Sequence, residues 1–179
     1  MRAAIDLLTQ YALYHRDRRN IASHFVGIPM IVFAIGVLLA RPSFGIEGSG
    51  GLVVTPAWIA FALATAWYLT RGNLVLGLAT SLAVGVLIAM AHRVGGSGVG
   101  AWLAWGLGFF IVGWVIQFVG HWYEGKKPAF VDDIVGLLVG PMFVTAEVLF
   151  ALGWGRPLLA EIERRVGPTV LRDLAHPAA

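Results

Sequence analysis

Five apolar stretches, at residues 21–40, 52–70, 74–91, 99–120 and 134–154, dominate this 179-residue chain. Each approaches the ~20 residues a helix needs to cross a hydrocarbon core of about 30 Å. Lipid offers no water to satisfy main-chain N–H and C=O groups, so segments of this length are expected as helices, and the fold class as all-α. Composition agrees with that reading. The chain is 58% hydrophobic and 13% charged, against about 25% charged in an ordinary soluble domain, too little polar surface to cover a soluble domain of this size. The lack of Cys removes disulfides, thiolate metal sites and cysteine nucleophiles from consideration. A pI of 9.7 on so apolar a chain points to anionic lipid headgroups and not to nucleic acid. The connections Arg41-Pro42, Arg71-Gly72-Asn73 and His92 to Gly98 are short and rich in breakers. They predict compact helical hairpins within a single integral membrane domain over residues 1–179.

The two ends of the chain are different. Ile5, Leu8, Tyr11 and Ala12 recur at helical spacing with Arg2, Asp6 and Gln10 between them, which predicts a short helix on the membrane surface and not a signal peptide. It runs into a polar knot, residues 15–20, whose Asn20 is expected to cap a helix starting at Ile21. In the tail, Leu158, Leu159, Ile162, Val166 and Val170 oppose Glu161, Glu163, Arg164 and Arg165, predicting a second surface helix. Charge decides the path between them. If the fifth stretch crosses, Lys and Arg are evenly split between the two faces. If it enters and returns, only Arg41 and Arg93 stand opposite all the others, the arrangement the positive-inside rule favours. Gly136, Gly140, Pro141 and Glu147 within that stretch also suit a broken helix. The expected architecture is a polytopic membrane helical bundle: four full spans, a broken or re-entrant fifth helix, and amphipathic surface helices at both ends. Both termini face the cytoplasm, in what reads as a bacterial inner membrane.

Four crossings bring the chain back to the face it left. His24 opens the first stretch and His121 closes the fourth, so His15, His24 and His121 belong to one face and His92 to the other. His15 and His24 are nine residues apart, opposite sides of an unbroken helix, and meet only if the polar knot bends the chain. Gln117, His121 and Glu124 form an i, i+4, i+7 stripe that is expected to point into the bundle. Glu147, inside an apolar stretch, must pair, lose its charge or bind something. Lys126 and Lys127 read as interfacial anchors, and Asp132 and Asp133 as caps of the following helix. Neutral imidazole suits Fe, Zn, Cu or Ni, and three usable histidines limit a site to one metal ion. A serine-hydrolase elbow and a phosphate-binding loop are both missing from the sequence. At this point three readings stand open: a metal-dependent oxygenase, a zinc hydrolase in which Glu124 activates water, and a non-enzymatic lipid-binding, scaffold or transporter-like protein.

Two motifs narrow the choice. Tyr11-x2-Tyr14-His15-x4-Asn20-x3-His24-Phe25-x-Gly27-x-Pro29 resembles the opening motif of the small membrane family that includes the 2-hydroxy fatty acid dioxygenase of phytosphingosine breakdown. Gln117-Phe118-x-Gly120-His121-x2-Glu124-Gly125-x2-Pro128-Ala129, followed by Gly140-Pro141-x-Phe143-x3-Glu147-Val148, resembles that family's second signature. The resemblance implies an Fe(II)-dependent, O2-consuming α-oxidation of a 2-hydroxy fatty acid to an acid one carbon shorter. It implies His15, His24 and His121 as metal ligands, with Glu124 as a fourth ligand or an orienting partner. Asn20 and Gln117 would support the ligands, and Tyr14 would contact substrate or oxygen. Arg16, Arg18, Arg19, Lys126 or Lys127 would hold the carboxylate at the cytoplasmic face. Membrane lipids are the surroundings, and a homo-oligomer is compatible with all of this.

Overall fold

The structure, a computed structural model, describes residues 2–45, 53–128 and 135–174. The elements are α1 (Ala4–Ala12), α2 (Arg18–Leu39), β1 (Phe44–Gly45), β2 (Val53–Val54), α3 (Pro56–Leu69), α4 (Leu74–Gly95), α5 (Val99–Glu124), α6 (Gly136–Ala151) and α7 (Arg156–Val166). Among the described residues the regular structure is helical apart from the antiparallel pair β1–β2. Asp132, Asp133 and His176 lie outside the described residues.

Among the described residues, three helices, α2, α4 and α5, are long and apolar enough to cross a membrane. The second expected span is shorter than its apolar run. Val53 and Val54 pair with β1, Thr55 caps the helix by accepting the Trp58 N–H, and Pro56 fixes its first turn. Gly72, at φ +82°, turns the chain soon after Leu69. The 14 residues left to α3 rise about 21 Å, less than a hydrocarbon core. Even so, α3 connects the same two ends of the bundle as its neighbours. At one end the Ala4 N–H donates to Arg71 O at 2.8 Å, tying the α3–α4 turn to α1. At the other, the Thr55 hydroxyl lies 2.8 Å from His92 Nε2, and Arg41 Nε donates to Gly95 O at 2.9 Å. His92 is therefore at the far end from the other described histidines.

The expected helix start at Asn20 is corrected by the structure. Asp17 is the N-cap of α2, accepting the Arg19 N–H at 2.8 Å, and Asn20 is buried within the first turn. An Asp side chain satisfies an orphan N–H as Asn does, and it also bears a charge suited to a helix N-terminus. Arg19 bonded to Asp17 holds this carboxyl low, at about 2.

The helix of the fifth apolar stretch runs through Gly140 and Pro141 without a break and ends at Ala151; the bend comes after it, where Gly153 and Gly155 adopt positive φ and α7 leaves α6 at 117°. The contacts of α6 gather at the end of the bundle occupied by α1. Leu138 O accepts the Tyr68 hydroxyl at 3.1 Å, and the Phe143 ring lies 5.0 Å from Tyr11. The two amphipathic helices α1 and α7 pack together there, with Arg165 paired to Asp6 at 3.1 Å. Leu7, Leu8, Tyr11 and Ala12 of α1 are buried against these neighbours.

The closest pairing in the bundle is α2 on α5. Glycine makes it so. A Cβ on Gly27 would lie 2.9 Å from Gly113 O, and one on Gly120 would run into Ser23 Oγ and Asn20 Oδ1. Small residues that let backbones approach replace the hydrophobic drive that lipid does not supply.

Candidate metal centre

The bend the histidines need occupies residues 13–17. After α1, the Tyr14 and His15 N–H groups donate to Tyr11 O and Ala12 O, turning the chain before Asp17 starts α2. His15 thereby faces His24 on the next helix, and α5 brings in His121. Each of the three offers a ligand nitrogen, and these atoms lie within 4.8 Å of one another. His15 is wholly buried, and His24 and His121 are nearly so.

Tautomers sharpen the geometry. His15 Nδ1 lies 2.6 Å from Tyr11 O and His24 Nδ1 lies 2.8 Å from Asn20 O. A carbonyl oxygen only accepts, so each Nδ1 carries a proton and each neutral ring presents a lone pair at Nε2. Those two Nε2 atoms are 2.9 Å apart. Lone pairs at that distance repel unless a proton or a cation lies between them. Burial, reinforced by neighbouring His24, pushes the His15 imidazolium well below its ordinary range, which disfavours the proton. Two nitrogens that each bind one metal ion at about 2.1 Å lie less than about 4.2 Å apart, so this separation is one a shared ion would allow. His121 Nδ1 is buried and makes no hydrogen bond within the described residues. The three histidines could hold a metal ion, and their donor set fits one.

Tyr11 stacks flat on His15, ring centroids 4.0 Å apart and planes 2° from parallel, and Phe143 packs beside both rings, 5.4 Å from His15 and 5.0 Å from Tyr11. Sequence reading gave these two aromatics no role at the site, although Tyr11 is four residues before His15, the spacing that puts two side chains on one helical face.

The remaining candidates fall into distinct positions. Glu124 is not among the residues whose ligand atoms cluster. Its carboxylate accepts the N–H of Arg16 at 2.9 and 3.0 Å, the N–H of Asp17 at 2.8 Å and Asn20 Nδ2 at 3.1 Å. Asn20 spans the bend, also donating to Tyr14 O at 3.0 Å. Arg16 is buried and donates to Ala12 O, His15 O and Gly167 O. Arg19 grips Asp17, donates to Arg172 O and covers the Tyr123 ring at 4.6 Å. Lys126 donates to Leu13 O at 2.7 Å. Arg18 and Lys127 are exposed at the same end. Tyr14 is half-buried beside a small pocket away from the imidazoles. Glu147 is half-buried on α6, near enough to feel the charge of Arg16.

A cavity of about 310 Å3 opens beneath the imidazoles. His24, Gln117 and His121 are at one end, and Ile28, Val32 and Ile35 of α2 face Phe110 and Trp114 of α5 along it. Gly136, Gly140 and Pro141 of α6 complete the wall near the histidines. The stretch from His24 to Ile35, like that from Phe110 to His121, rises about 16 Å. The cavity is long, apolar and polar only at its histidine end.

Fold and site together define a bundle of membrane-length helices with a buried three-histidine cluster at one end and an apolar cavity beneath it. The chain belongs to the Mpo1-like family: the family's sequence model, described as 2-hydroxy-palmitic acid dioxygenase Mpo1-like, matches residues 1–152. It is 31% identical over 170 residues to the 2-hydroxy-palmitic acid dioxygenase MPO1 of Saccharomyces cerevisiae, covering 89% of this chain and 88% of that protein. No solved structure matches this chain.

Proposed function

We propose that this protein is a membrane-embedded Fe(II)-dependent dioxygenase that converts 2-hydroxy fatty acids to fatty acids one carbon shorter. One observation carries the reading: two imidazoles fixed as Nδ1–H tautomers turn their Nε2 lone pairs on each other at 2.9 Å, above an apolar cavity. Kinship with a protein named as a 2-hydroxy-palmitic acid dioxygenase supplies the substrate class and the use of O2.

His15, His24 and His121 are the residues that would hold the metal. Iron(II), when bound, supplies electrons to O2 and a Lewis-acidic centre for a hydroxy acid. The protein's own groups do the rest. The Tyr11 and Asn20 carbonyls fix both rings and keep each Nε2 free of its proton. Tyr11 and Phe143 pack around His15 and exclude water. The acyl chain lies between α2 and α5, and its acidic end meets the histidines. Three of the cations expected to hold that end, Arg16, Arg19 and Lys126, hydrogen-bond to protein oxygens in this structure; their part in this reading is to fix the bend and draw anionic substrate to this end.

The hydrolase alternative loses its base, because Glu124 spends its carboxylate on the bend. In the bilayer, α3 with the β1–β2 pair completes a fourth crossing and α6 lies re-entrant. One domain results, with the histidine end at the cytoplasmic face of the inner membrane. The positive-inside rule supports that orientation, since Arg16, Arg71, Lys126 and Arg165 gather at the histidine end and Arg41 is opposite.

The decisive experiment is oxygen uptake by Fe(II)-loaded protein given 2-hydroxypalmitate, with the product acid identified by mass. Uptake with an acid one carbon shorter is expected. Iron-loaded protein that consumes no O2 with any 2-hydroxy acid overturns the reading.

A further inference from the structure

The cavity wall contains a polar group that the protein does not satisfy. Gln117 is 4% exposed and lines the cavity, yet its Oε1 is buried without a partner, and its amide bonds to no described residue. Packing fixes its position. It sits one turn before His121 on α5 and packs on α2 at Gly27, where a Cβ would come within 3.1 Å of its Cγ and Nε2. Gly27 is in turn three residues beyond His24. The amide therefore lies between two facing helices, about one turn, or roughly 5 Å, deeper into the cavity than the imidazoles. Around and below it the walls are Ile28, Val32, Phe110 and Trp114.

A buried amide without a partner is costly in such surroundings. It is retained at low cost only if something entering the cavity completes it. Resting on the dioxygenase reading above, we propose that Gln117 is the specificity residue that reads the 2-hydroxyl of the substrate. With the acid group at the histidines and the chain running down the cavity, carbon 2 is the first carbon on the chain side, level with the amide. The substrate O–H donates to Gln117 Oε1. A fatty acid without the hydroxyl leaves that oxygen desolvated and unpaired, and a site built to hydrogen-bond a hydroxyl discriminates strongly against its absence.

The test measures Kd for 2-hydroxypalmitate and for palmitate on Fe(II)-loaded protein under nitrogen, where no turnover occurs, in wild type and in Gln117→Met. Wild type is expected to prefer the hydroxy acid. In Gln117→Met that preference falls on the order of tenfold, through weaker binding of the hydroxy acid, while palmitate binds as before or more tightly. Thermal stability of Gln117→Met is expected to equal or exceed that of wild type, because the change removes an unpaired buried amide. A preference that survives in Gln117→Met overturns this inference alone. A loss of stability with equal weakening of both acids overturns it too, by making Gln117 a packing residue. Wild type that binds neither acid overturns the dioxygenase reading and this inference with it.

Discussion

The Glu124 carboxylate accepts the main-chain N–H of Arg16 with both oxygens, at 2.9 and 3.0 Å, across 108 residues of sequence. This one contact fastens the end of α5, which carries His121, to the bend that carries His15. It explains how imidazoles from distant parts of the chain are held in register.

Replacing Glu124 should therefore act on the site through the backbone. Glu124→Ala leaves the N–H groups of Arg16 and Asp17 without their acceptor in a buried place, a loss of roughly 3 kcal/mol. Glu124→Gln keeps one acceptor oxygen and should lose about half of that. Both variants are expected to bind metal more weakly than wild type, in the order Ala below Gln. Chelator competition checks the order; equal metal affinity in all three proteins would contradict it.

Metal content should follow the histidines. His15→Ala, His24→Ala and His121→Ala are each expected to lower bound iron from about one per chain to near zero, whereas His92→Ala, at the far end of the bundle, should leave it unchanged. Elemental analysis after anaerobic Fe(II) loading reads this directly. Because a metal that binds the folded state stabilises it by about 2.7 kcal/mol at a hundredfold excess over Kd, Fe(II) should raise the melting temperature of wild type, and a chelator should reverse the rise.

The segment after α7 is a strap on the same bend. Val170 N–H donates to Arg16 O at 2.8 Å, Arg18 N–H donates to Val170 O at 2.9 Å, and Arg172 N–H donates to Asp17 Oδ2 at 2.9 Å. The match to the family's sequence model covers residues 1–152 and so does not include these residues. Val170→Pro deletes one donor and should cost about 1 kcal/mol, with faster metal loss. Val170→Ala keeps the N–H and should match wild type in metal release, the contrast that isolates the hydrogen bond from the side chain.

Gly120 faces Ser23 and Asn20 with no room for a methyl group. Gly120→Ala is expected to push α5 off α2 at a cost of about 1–3 kcal/mol and to lower metal affinity, since His121 is the next residue. Gly108, whose added Cβ would meet nothing within 4 Å, is the control. Gly108→Ala should be neutral or slightly stabilising, as Ala is the better helix former by about 1 kcal/mol.

Much of this protein was legible in its sequence, because the bilayer dictates so much. Long apolar runs must be helical, which gave α2, α4 and α5. The parity of crossings put His15, His24 and His121 at one end and His92 at the other, and helical spacing turned Gln117, His121 and Glu124 inward. Local sequence could not decide the start of α2, where Asp17 and Asn20 are both good caps and the tertiary contacts of Asn20 settle the choice. Nor could it show that α3 is cut short by pairing of Val53 and Val54 with residues eight and ten positions earlier. Nor does local sequence say what the Glu124 carboxylate bonds, because its hydrogen-bond donors lie 104, 107 and 108 residues away. The same holds for Arg16 and Lys126, which look like free cations until the main-chain oxygens they bond are known. Periodicity and hydropathy record what each segment demands of its surroundings, water, lipid or protein. Which distant group answers each demand is set by how the helices cross, and that exists only in the folded chain.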